Sequence, residues 1–91
     1  MKNLSTEAHR IVQNIELDIL AFKELGPQDY EVDKIILDSV SELYLESLMD
    51  STLPIYERKG EKDKIVRSIL GYPVVINSFI QRPCVTYKRK S

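Results

Sequence analysis

From Ser5 to Leu25 the apolar residues Ala8, Ile11, Val12, Ile15, Ile19 and Phe22 recur at helical spacing, with Glu7, Arg10, Asn14, Asp18 and Lys23 between them. A helix of this length presents an apolar stripe roughly 30 Å long, and the rest of the chain must supply a surface to bury it. Ser5 or Thr6 is expected to cap its start, with Glu7 in the positive first turn. Gly26-Pro27 ends it, because Gly adopts the left-handed cap and Pro cannot continue the hydrogen-bond ladder. Leu17, Leu20 and Ala21 widen the apolar surface beyond one stripe, so a second helix or a partner should cover it.

A second helix is predicted from Asp29, with Glu31 and Asp33 in its first turn and Val32, Ile35, Ile36, Val40 and Leu43 on its buried face, running to about Asp50. The competing reading makes Lys34 to Leu37 a strand, since Ile-Ile is β-prone. Beyond Asp50-Ser51-Thr52 the chain changes character. Leu53-Pro54-Ile55-Tyr56, Ile65-Val66, Val74-Val75-Ile76 and Cys84-Val85-Thr86-Tyr87 are short β-prone runs broken by Lys59-Gly60, Gly71-Tyr72-Pro73 and Arg82-Pro83. At Ile65 to Leu70 a single helical turn capped by Asp63 competes with a strand. The expectation is an α+β fold: two N-terminal helices packed on a small three- or four-stranded antiparallel sheet, in one domain spanning 1–91, helical over 5–50 and sheet-forming over 53–89.

With 43% apolar and 30% charged residues, the 91-residue chain has the composition of a folded domain rather than a disordered one. Its apolar runs are a few residues long against the roughly 18 to 20 of a membrane span, and Met1-Lys2-Asn3-Leu4 leads into a polar segment. Neither a membrane association nor a signal peptide is expected. One cysteine, Cys84, cannot form an intramolecular disulfide, which points to a reducing, intracellular setting in the cytoplasm. A domain this small buries a modest fraction of its surface, so a protein partner or a second copy is expected to complete an apolar face.

Charge is uneven. Residues 1–52 hold 11 acids and 4 bases, a net charge of −7, while residues 53–91 hold 3 acids and 9 bases, a net charge of +6. Such a division can steer nucleic acid, let copies associate acidic to basic, or let the two halves attract each other within one fold.

Chemistry-bearing residues are few. His9 and Cys84 are the single histidine and cysteine, too few for a structural zinc site, and far apart in sequence for a nucleophile-base pair. Glu16 with Asp18, or Asp29 with Asp33, are the acidic pairs of ordinary helical surfaces. Gly26, Gly60 and Gly71 stand too far apart for a phosphate-binding loop or a dinucleotide fingerprint. No catalytic residue, metal or cofactor is therefore assigned, and a binding or assembly protein is expected rather than an enzyme.

The contact candidates for a protein partner are Tyr56, Tyr72 and Phe79 with Ile11, Ile15, Leu17, Leu20 and Phe22 of the first helix, because aromatic anchors dominate interfaces. The alternative is a small nucleic-acid-binding regulator, with Arg58, Lys59, Arg82, Lys88, Arg89 and Lys90 on phosphates and Tyr87 stacking on a base.

Two stretches give a more particular likeness. Gly26-Pro27-Gln28-Asp29-Tyr30 followed by Ile35-Ile36-Leu37-Asp38, and Ile69-Leu70-Gly71-Tyr72-Pro73-Val74-Val75-Ile76, together resemble the A domain of tailed-phage major capsid proteins over residues 26–77. The resemblance implies a helix starting at the Pro-x-Asp-Tyr stretch and packing on a small sheet, a Gly-Tyr-Pro turn leading into a core strand, and a role in shell assembly through subunit contacts without catalysis. The family's extended arm, long loop and peripheral domain have no counterpart in these 91 residues. The implied role is thus that of a capsid-associated or assembly-modulating protein, virion-associated, rather than a complete shell subunit.

Overall fold

The computed structural model describes residues 4–49 and 55–91, with the side chains of Leu4, Ser5 and Glu61 left out. Helix α1 runs Leu4–Leu25, so Ser5 and Thr6 fall inside its first turn instead of capping it. Every fourth or third residue of its stripe, Ala8, Val12, Ile15 and Ile19, is buried, as the periodicity requires. Gly26 ends the helix for a reason other than the left-handed cap. Its backbone is not in the positive-φ region, and a Cβ there would lie 2.5 Å from the Phe22 carbonyl oxygen and 2.7 Å from the Phe22 ring. Gly26 is needed for space, while its N–H donates to Phe22 O at 2.7 Å.

The largest departure from expectation follows. Residues Tyr30–Leu37 form a strand, β1, and the second helix is only Ser39–Leu45, α2, continued by a 3-10 turn over Glu46–Leu48. The run Ile35-Ile36-Leu37 belongs to a central strand flanked on both sides, where β-branched residues pack well and pairing outweighs helical spacing. Asp38, not Asp29, caps the helix, its carboxylate accepting the Ser41 N–H at 3.1 Å. The shift of start changes which side faces inward: Ser41, Leu45 and Leu48 are buried, and Val40 and Leu43, expected in the core, are exposed. The helix end expected at Asp50 and the strand start expected at Leu53 lie outside the described residues.

Four further strands complete the sheet: β2 (Tyr56–Glu61), β3 (Lys64–Ile69), β4 (Tyr72–Ile76) and β5 (Cys84–Arg89). Their order is β2-β3-β4-β1-β5. The fold is α+β, but with five strands instead of three or four, and mixed instead of antiparallel, because β1 and β4 run parallel with Ile35, Ile36 and Leu37 beside Val74, Val75 and Ile76. Parallel neighbours need a crossover, and α2 with the β2–β3 hairpin provides it. Both hairpins use two-residue turns with positive φ, Lys62-Asp63 (43° and 67°) and Leu70-Gly71 (53° and 86°), whose twist matches that of the strands. Ile65 to Leu70 is thus a strand and its turn, and Asp63 is a turn residue.

The inward row of the sheet, Tyr56, Ile69, Val74, Ile35 and Leu37, meets α1, Leu45 and Leu48 in one core. At Asp33 the register of β1 against β5 slips by one residue. This bulge re-aims the strand, so Val32 packs against the core instead of following the alternation outward. On the opposite face Ile36, which lies between Val75 and Cys84, has no covering element among the described residues.

Candidate functional site: an apolar groove along the first helix

The charge asymmetry resolves in part within the chain, through four ion pairs among the described residues. Arg67 Nε lies 2.5 Å from Glu42 Oε2, and Arg58 lies 2.8 Å from Glu46, tying α2 and its 3-10 turn to the β2–β3 hairpin. Lys88 lies 3.8 Å from Asp33 and Arg89 3.5 Å from Asp29, tying β5 to β1 and the turn before it. Each of these bases lies in the basic half and each acid in the acidic half. The Tyr56 hydroxyl also donates to Glu42 Oε2 at 2.8 Å. Burial, followed by this hydrogen bond and the Glu42 charge, holds the Tyr56 phenol well above its ordinary range.

These pairings bear on the basic candidates. Lys59 sits 3.5 Å from Glu57. Arg58 and Lys59 lie on one edge strand and Lys88 and Arg89 on the other, four strand spacings or about 19 Å apart. Tyr87, the stacking candidate, is already stacked on Phe22 with ring centroids 3.8 Å apart and 19° between planes. Burial, with the Asp18 charge second, raises its phenol pKa. Lys90 borders the groove described below, and Arg82 and Asp18 both line a hollow of about 270 Å³ between α1 and the β4–β5 loop.

Among the contact candidates, Ile15 and Tyr56 are core residues, which removes them from any surface a partner can reach. Ile11 is half-buried against the same core, and Phe22 is engaged with Tyr87. Leu17, Leu20 and Phe79 are exposed, at 55%, 51% and 94%. Tyr72 is half-buried and lines two adjoining hollows beside α1.

Those hollows form one groove. The first, about 500 Å³, lies between Phe22, Pro27, Tyr30 and Val32; the second, about 470 Å³, lies between Ile19, Leu20 and Leu17 on the helix and Leu70 on the β3–β4 turn. Lys23 and Tyr72 border both. Leu70 was not among the sequence candidates. It is 40% exposed and held at a φ of 53°, a conformation in which a bulky side chain is disfavoured, with its N–H bonded to Ile55 O at 3.0 Å. The signal that could have found it is the two-residue turn itself, where Leu precedes Gly between two strand-forming runs.

His9 and Cys84 are not brought together. His9 is exposed on α1 beside Thr6, Arg10 and Gln13, while Cys84 pairs with Ile36 on the face of the sheet turned from the helices. Among the described residues no three His, Cys, Asp or Glu side chains gather as a metal site, and no helix is long and apolar enough to cross a membrane. Compared with known proteins, the chain matches no family model, no curated protein and no solved structure.

Proposed function

We propose that this chain is a non-catalytic protein-interaction or assembly protein and that the groove between α1 and the β3–β4 turn is its contact surface. The observation that carries the reading is the row Leu17, Leu20 and Leu70, each at least two-fifths exposed, around a hollow that Tyr72 also lines. Clustered apolar side chains of this kind on a small domain mark contact sites, whereas isolated ones do not. The likeness to the capsid A domain gives it further support. Its two stretches lie side by side as β1 and β4, and the Leu70-Gly71 turn opens into a strand whose Val74 is buried, although the Tyr30 stretch starts a strand and not a helix. The nucleic-acid reading has less to support it, since four of its bases are paired to acids and its stacking ring is taken.

Light scattering after size exclusion, over a range of concentrations, tests the reading. Wild type should exceed the 10.5 kDa chain mass and Leu17→Asp, at an exposed helical position, should return to it. A wild-type chain that stays monomeric at high concentration contradicts it.

A further inference from the structure

Away from the groove, one hollow is lined by opposite charges that do not meet. It holds about 270 Å³ between Ile11, Asn14, Ile15 and Asp18 of α1 and Arg82 and Pro83 at the end of the β4–β5 loop. By their spacing the four helical residues share one ridge facing the loop, and none of them borders the groove. Among the described residues, Asp18 and Arg82 form no ion pair, with each other or with a third group, and the Asn14 side chain makes no hydrogen bond.

The walls between these polar groups are apolar. Ile15 is buried, and Ile11 and Pro83 are half-buried. A few polar groups converging over an apolar floor are the common make-up of a small-molecule site. At ~30 Å³ per water the hollow has the volume of about nine waters, which suits a free amino acid with a branched aliphatic side chain and is too small for a nucleotide.

Arg82 is also set in place before any contact is made. Pro83 restricts the backbone of the residue before it to extended conformations, and Cys84, next in the chain, is paired with Ile36 in the sheet. Little backbone freedom is left to lose on binding.

A ligand with a single charge satisfies one of the two groups and is repelled by the other. A zwitterion satisfies both. We propose that this hollow binds a free α-amino acid with an apolar side chain, the Asp18 carboxylate taking its ammonium and the Arg82 guanidinium donating to its carboxylate. The Asn14 amide, one turn before Asp18, supplies a further donor and acceptor.

Titration of the full chain with L-leucine, followed by amide chemical shifts, should give saturable changes around Ile11 to Asp18 and Arg82 to Cys84, with a dissociation constant on the order of 1 mM. Isoamylamine keeps the shape of leucine without its carboxylate, and isocaproate keeps it without the ammonium. Each should bind at least about 10-fold more weakly than leucine. Arg82→Gln should weaken leucine about 10-fold without weakening isoamylamine, and Asp18→Asn should weaken leucine equally without weakening isocaproate. Both positions are exposed, and circular dichroism checks that each variant folds. No saturable change up to about 50 mM leucine, singly charged probes that bind as tightly as leucine, or changes confined to the groove around Leu20 and Tyr72 overturn the site. The assembly reading stands or falls separately, by the mass of the Leu17→Asp variant.

Discussion

The ring of Tyr87 lies on the ring of Phe22, centroids 3.8 Å apart, and joins edge strand β5 to the last turns of α1. The stack stands beyond the bulge at Asp33, where Val32, the register partner of Tyr87, also turns to the core. Two aromatic side chains that sequence alone offers to external partners are thus spent on each other.

Replacing Tyr87 with Ala should lower stability by about 2 to 3 kcal/mol, somewhat below the loss for a fully buried ring, and Tyr87→Phe should lose less than about 1 kcal/mol because it keeps the stack. Urea denaturation measures both. Equal losses for the two variants would show that the hydroxyl, not the ring, holds β5 to the helix.

Gly26→Ala should destabilise by about 1 to 3 kcal/mol, since its Cβ meets a backbone oxygen at 2.5 Å and a ring that Tyr87 holds in place. Freed of the stack, Phe22 can move aside, so the loss should shrink in a Tyr87→Ala background. A double-mutant cycle reads this coupling, and strict additivity would contradict it.

The contribution of the two tyrosines to stability should be level below about pH 10 and fall above it. Burial raises the Tyr56 and Tyr87 phenols above the unfolded value, so the folded chain keeps protons that the unfolded chain releases as pH rises. The stabilisation is complete below the unfolded pKa and is lost as pH climbs towards the folded values. Tyr56→Phe should flatten this alkaline limb, and urea midpoints taken across that range provide the check.

Leu70→Asn should separate stability from association. Asn tolerates the left-handed region better than Leu does, so the turn should gain up to about 1 kcal/mol, while the groove loses one apolar wall and association weakens several-fold. Denaturation and light scattering on the same variant should move in opposite directions. A parallel loss in both would mean that Leu70 serves packing alone.

How much of this was legible in the chain depends on the range of the deciding contact. Helix α1 was legible because its period is unbroken from Ala8 to Phe22 and Gly26-Pro27 stops it, yet the demand on Gly26 comes from the Phe22 carbonyl oxygen and ring and not from φ. Residues 30–37 fit a helical stripe and a buried strand about equally well. What decides between them is β4 and β5 on either side, supplied from 39 to 59 residues away in sequence, with Val74 and Val85 flanking Ile35. Of the groove, Leu17, Leu20 and Tyr72 could be named from pattern, because a stripe wider than the core needs leaves residues outside. Ile15 and Tyr56 could not be told from them, since core and contact residues share the same chemistry and differ only in what covers them.

Amide hydrogen exchange at low and high protein concentration tests the central claim most directly, because it locates the contact as well as detecting it. Protection should rise with concentration along Leu17 to Lys23 and at Leu70 to Tyr72, and leave the open face around Ile36, Val66 and Val75 unchanged. Protection confined to that open sheet face, or no change anywhere, would contradict the groove as the contact surface.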